Sequence, residues 1–139
     1  MRKKYSSSKK IIIVLFISLF LTQCLYKDYT FKESLSRNFY LMESDILPSK
    51  YINIQHEDSD LVLIYDLIEV IGNDDIILVK NINKKGKIQY NLIETAVVEY
   101  PEDIKIISYE DFLKRKKKIN YEYSYDQNNG FSRNFSWHK

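Results

Sequence analysis

The sequence predicts an α+β fold, a small antiparallel β-meander with one C-terminal helix packed on it. Two turn signals, Gly72-Asn-Asp-Asp75 and Asn83-Lys-Lys-Gly-Lys87, separate three runs rich in Leu, Ile and Val. Gly adopts left-handed backbone angles freely and Asn and Asp tolerate them, so each signal reads as a hairpin between strands. The third observation is Ser108, placed to cap a helix that starts acidic and ends basic.

Residues 24–36 are polar with scattered aromatics, Tyr26, Tyr29 and Phe31, and read as a tether. The folded domain is expected over 37–119. Its first strand is Asn38-Phe-Tyr-Leu-Met42, and Pro48 breaks the pattern after it because proline has no donor for a ladder. A second strand runs from Tyr51 to Gln55, with Tyr51, Asn53 and Gln55 on one face. His56-Glu-Asp-Ser-Asp60 is a polar turn. Leu61–Ile71 is the densest apolar run; periodicity alone allows strand or helix, and the flanking turns and β-branched residues favour strand. Ile76–Val79 and Ile88–Ile93 complete the meander, with a further strand expected at Ala96–Val98. A sheet of about four to six strands over residues 38–98 is expected on these signals.

Tyr100-Pro-Glu-Asp103 closes the meander, and Ile104–Ile107 reads as a short strand or an approach to the helix. In the helix, over 109–118, Ser108 accepts from the Asp111 amide and Asp111 reaches back. Glu110 and Asp111 meet the positive end of the helix dipole, and Lys114-Arg-Lys-Lys-Lys118 the negative end. Phe112, Leu113 and Ile119 form its apolar stripe. Residues 120–139 are a Tyr-rich tail. Tyr121, Tyr123 and Tyr125, then Phe131, Arg133, Phe135 and Trp137, alternate with other residues, which fits a hairpin or a disordered tail.

The first 24 residues address the cell envelope. Arg2, Lys3, Lys4, Lys9 and Lys10 precede an apolar run, Ile11–Leu21, that ends at Thr22-Gln-Cys24. A basic start and an apolar centre of roughly 7–15 residues describe a secretory signal, too short for the ~20 residues a spanning helix needs. The one alanine, Ala96, lies far away, so the small-residue cleavage pattern of an ordinary signal is missing. Leu21-Thr-Gln-Cys24 resembles a bacterial lipobox instead. That resemblance implies a signal peptide over 1–23, a diacylglyceryl group on the Cys24 thiol and cleavage before it. Gln23 stands where Gly, Ala or Ser is usual, so an uncleaved N-terminal anchor is the alternative. Each buried methylene of an acyl chain adds about 0.8 kcal/mol, and two or three chains anchor durably.

Five of the 21 basic residues precede Cys24 and none of the 19 acidic ones does. The remainder therefore carries 16 basic against 19 acidic groups, a poor surface for nucleic acid. Cys24 is the only cysteine, so stability must come from a core rather than a disulfide.

Chemical signatures are sparse. His56, Glu57, Asp58 and Asp60 are the one acidic-plus-imidazole cluster, but they lack the ligand spacing and central Gly of a calcium loop, and no metal site is expected. There is no Gly-x-Ser-x-Gly elbow, and three dispersed glycines make no phosphate loop. The pairs Asp74-Asp75 and Glu102-Asp103 fall in turns, where solvation explains them. Lys114–Lys118 could meet anionic lipid or a partner, though a helix end is the plainer use. No catalytic residue and no cofactor are expected.

Three segments, Leu35–Leu41, Glu69–Lys80 and Ile107–Arg115, are similar to small uncharacterised bacterial lipoproteins of low-GC Gram-positive bacteria and Bacteroidetes, a domain of unknown function. The resemblance implies an architecture and an envelope location and no activity. The expectation is a non-enzymatic, membrane-tethered binding module with a protein partner, on the outer membrane or the extracytoplasmic face of the plasma membrane. An immunity protein that neutralises a toxin at the envelope is the alternative.

Overall fold

Short stretches of alternating apolar and polar residues pair as ten antiparallel strands in two sheets, in a computed structural model that describes residues 10–15, 17, 30–44, 49–56 and 59–134. The first sheet is a meander in the order β1 (Phe31–Ser34), β2 (Phe39–Glu43), β3 (Tyr51–His56) and β4 (Ser59–Ile64). The second contains β5 (Leu67–Gly72), β6 (Ile76–Ile82), β7 (Ile88–Glu94), β8 (Lys105–Ile107), β9 (Tyr123–Asp126) and β10 (Gly130–Arg133). Its spatial order is β10-β9-β5-β6-β7-β8. One helix, α1 (Tyr109–Lys118), packs on it. The expected α+β class, a β-meander with a C-terminal helix, is the one observed.

Period-two alternation sorts the second sheet into two faces. Val70, Ile77, Val79, Ile93, Tyr123 and Tyr125 join Phe39, Leu41, Ile52 and Ile54 of the first sheet, and Leu35 of the β1–β2 turn, in the main core. Ile71, Leu78 and Leu92 face the other way and meet Phe112 of α1. Ser108 caps α1 as expected, its Oγ accepting from the Asp111 amide at 3.1 Å. Asp111 turns its carboxylate to Arg115 Nε, 2.9 Å away. Lys116 pairs with Glu69, which ties the helix to β5.

The structure extends the expected meander in four places. The run Leu61–Ile71 is two strands in different sheets. The chain crosses between them at Tyr65-Asp66, where Asp66 takes a φ of +52°, an angle Asp tolerates better than most residues. Ala96–Val98 forms a turn in which the Val97 and Val98 amides both donate to the Glu94 carbonyl. Phe31–Ser34, assigned to the tether from sequence, is β1, paired along its length with Tyr40–Glu43. Of the two readings of the tail, the hairpin is observed over Tyr123–Arg133, with β9 an interior strand between β5 and β10.

That interior strand depends on a glycine. Tyr123 is fully buried, and a Cβ on Gly72 would lie 2.6 Å from its hydroxyl oxygen and 2.8 Å from the Ile76 carbonyl. The phenol donates to the Asn73 carbonyl at 3.3 Å and lies 3.2 Å from Ser36 Oγ. A hydroxyl has one proton to give, so Ser36 donates to Tyr123. The contact joins the β1–β2 turn, the β5–β6 turn and β9.

Gly72→Ala should destabilise the fold by about 1–3 kcal/mol, the usual range for an overpacked site. Urea denaturation checks this. Combination with Tyr123→Phe should recover part of the loss, because the nearest clashing atom is then gone.

Burial pushes the Tyr123 phenol well above its ordinary value of 10.0, with the Ser36 hydrogen bond opposing. The folded state therefore keeps this proton after the unfolded chain has lost it. Its contribution to stability is complete below the unfolded value and is lost as pH rises from there toward the folded value. Melting temperature should fall from about pH 9.5 upward, and less steeply in Tyr123→Phe.

Candidate functional site

Asn and Gln are poor residues for the interior of a sheet, where Val and Ile pack better. The β6–β7 hairpin nonetheless carries Asn81, Asn83, Gln89 and Asn91 on one side. They continue the inner face begun by Ile77, Val79 and Ile93, so alternation aims them between the sheets. Asn81 and Asn91 are buried, and Gln89 and Asn83 lie nearer the surface.

The four amides form a directed chain whose orientation is set at both ends. Asn83 Oδ1 accepts from the backbone amides of Lys85 at 3.0 Å and Lys87 at 3.1 Å. Its amide nitrogen must then face Gln89, and donates to Oε1 at 3.4 Å. Gln89 Nε2 donates to Asn91 Oδ1 at 2.8 Å, and Asn91 Nδ2 to Asn81 Oδ1 at 2.8 Å. Asn81 Nδ2 ends the chain on the carbonyls of Tyr65 at 3.1 Å and Ile82 at 3.3 Å. A carbonyl can only accept and a backbone N–H only donate, so no amide can be reversed without breaking the run. Asn81 and Asn91 spend both amide hydrogens, Asn91 placing its second on the Val79 carbonyl. Gln89 and Asn83 spend one each, so each keeps one N–H unclaimed among the described residues.

These amides line a cleft of about 630 Å³ on the side where β4 ends one sheet and β8 ends the other. Leu63, Ile82, Ile104 and Ile106 give it apolar walls. Tyr65 and Asp66, at the crossing between the sheets, and Lys84 and Lys85, in the β6–β7 turn, stand at its rim. Gly86, with a φ of +73°, lets that turn close, its amide donating to the Asn83 carbonyl at 2.8 Å. The cleft thus presents spare N–H donors, two ammonium groups and the Asp66 carboxylate beside an aliphatic wall. Such a surface favours an acceptor-rich ligand with apolar parts.

Cys24 and His138 lie outside the described residues, as do Glu57 and Asp58 of the His56 cluster. Among the described residues no three His, Cys, Asp or Glu side chains gather closely enough to hold a metal ion. Asp74 and Asp75 occupy the β5–β6 turn, and Asp103 Oδ2 accepts from the Glu99 and Tyr100 amides at 3.1 and 3.0 Å. The basic run divides: Arg115 and Lys116 form ion pairs, while Lys114 and Lys118 border a second depression of about 480 Å³ shared with Asp75 and Asp111. Charges of both signs meet there. No helix among the described residues is long and apolar enough to cross a membrane.

The sequence reading missed the amide cleft. The signal was available as a period-two polar pattern, Asn81-x-Asn83 and Gln89-x-Asn91, bracketing a turn inside an otherwise apolar hairpin. No family model matches the chain, and no curated protein or solved structure does. The resemblance to small envelope lipoproteins therefore rests on its three segments alone.

Asn91→Ala should strand Gln89 Nε2 and Asn81 Oδ1, and a stranded buried polar group costs about 1–3 kcal/mol. Gln89→Ala, at the wetter end, should lose about 1 kcal/mol or less. Urea denaturation of the two variants checks the ranking.

Proposed function

We propose that this chain is a non-enzymatic binding module of a bacterial cell envelope, tethered through lipid on Cys24 and engaging a protein partner through the amide cleft. The cleft is the observation that carries the reading. Its donors are held in fixed orientations by a chain anchored on backbone groups, so a ligand meets a preorganised surface. The polar groups around it besides the amides are two lysines, an aspartate, a tyrosine and Ser49. For the tether, support comes from the basic start, the apolar centre and the lone cysteine at its exit. Residues 10–15 are helical with exposed apolar side chains, a form suited to an apolar environment rather than to water.

Photo-crosslinking in the producing cells, with radiolabelled palmitate in the medium, tests both halves. A photoreactive residue at Ile82 should yield an adduct of discrete mass, and one at Lys117 on α1 should not. The wild-type chain should take up label. Cys24→Ser should take up none and stay uncut at that site, because a hydroxyl is far less nucleophilic than a thiolate. Equal labelling of Cys24→Ser would refute the anchor. Adducts at Lys117 without adducts at Ile82 would refute the cleft.

A further inference from the structure

The outer edge of the second sheet has a definite hydrogen-bonding parity. Antiparallel pairs alternate between residues that exchange backbone bonds and residues that do not. At one end of the β6–β7 ladder the Thr95 amide donates to Asp75, and at the other the Asn83 amide donates to Lys87. Both pairs continue the β6–β7 register in odd-numbered positions. Gln89, Asn91 and Ile93 therefore bond β6, which leaves Tyr90 and Leu92 to bond β8. Their partners there are Ile107 and Lys105. Ile106, opposite Asn91, must then direct its own N–H and C=O away from β7, off the edge of the sheet. β8 is terminal in its sheet, and the Ile106 side chain, 70% exposed, lines the cleft.

We infer that the cleft takes an extended acidic peptide, which adds as a strand to β8 through the Ile106 backbone and sets carboxylates against Lys84 and Lys85. The inference rests on the cleft being the binding site proposed above. Strand addition supplies affinity from main-chain bonds, and a neighbouring cleft reads alternate side chains. The spare N–H groups of Gln89 and Asn83 fit carbonyl or carboxylate oxygens. The ladder from Asn91 to Lys87 runs about 13 Å at ~3.3 Å per residue, so roughly five ligand residues reach from Ile106 to the lysines. A bound saccharide would use the donors and the lysines but would leave the outward Ile106 groups idle.

The test uses the full-length chain in detergent micelles. An array of seven-residue peptides with Asp or Glu alternating with Val, Ile or Thr, in both phases, is probed beside the same array with Lys replacing the acids. The best binder is then measured by fluorescence anisotropy. Acidic peptides should bind saturably and the lysine array should not. Backbone N-methylation at alternate residues should abolish binding in one parity and spare it in the other. Ile106→Pro removes the outward N–H as well as a side chain of the cleft wall, and should weaken binding about tenfold or more beyond Ile106→Ala, with the β7–β8 bonds kept. Lys84→Ala with Lys85→Ala should weaken the acidic peptide similarly. If Ile106→Pro misfolds, the methylation parity decides alone. The inference is overturned if no acidic peptide binds saturably or if both parities bind alike. It is also overturned if an acidic oligosaccharide such as oligogalacturonate binds in place of the peptides. Crosslinked adducts at Ile82 alongside any of these failures would leave the binding module standing and remove only the peptide.

Discussion

A tyrosine buried where a side chain is missing holds this fold together. Tyr123 occupies the space that a Cβ on Gly72 would take, and its hydroxyl is claimed by Ser36 and Asn73. The first sheet, the β5–β6 hairpin and the C-terminal hairpin meet at that one ring. With no disulfide available, such a contact between distant segments does what a covalent staple would do in other small domains. Leu35, Phe39, Val70 and Val98 belong to the same core. A change that shifts the phenol therefore reaches both sheets.

Much of the fold was legible in the sequence because turn chemistry is local. Gly72–Asp75, Asn83–Lys87 and Ser108 do as read, and α1 spans the expected residues. What escaped depends on distant partners. Leu61–Ile71 has no Gly or Pro to mark the crossing at Asp66, so one apolar run hides two strands. Phe31–Ser34 is too polar to announce itself and becomes a strand only because β2 offers an edge. Tyr123 and Tyr125 looked alike whether buried or not, since alternation says which face residues share and not whether anything covers it.

The candidate site was the least legible part, and the reason is physical. Amides are read in a sequence as turn formers, which Asn73 and Asn83 are. Asn81 and Asn91 have the same side chain in a different employment. Two buried amides in adjacent strands offset the loss of apolar packing only when each hydrogen finds an acceptor, and here each does. The unclaimed donors accumulate at the mouth, where solvent or a ligand can reach them. The unclaimed donors thus sit on the side where β4 ends one sheet and β8 ends the other.

The position of β9 bears on the order of events during synthesis. The interior of the larger sheet contains a strand drawn from far down the chain, Val70 pairing with Tyr125. A ribosome delivers β5 long before β9, and during that interval β5 has one bare edge and a core lacking its two tyrosines. Pairings that close long loops form late, so a nascent chain stays open until its final hairpin arrives. The topology thereby leaves the larger sheet without its finished core for most of the chain's synthesis.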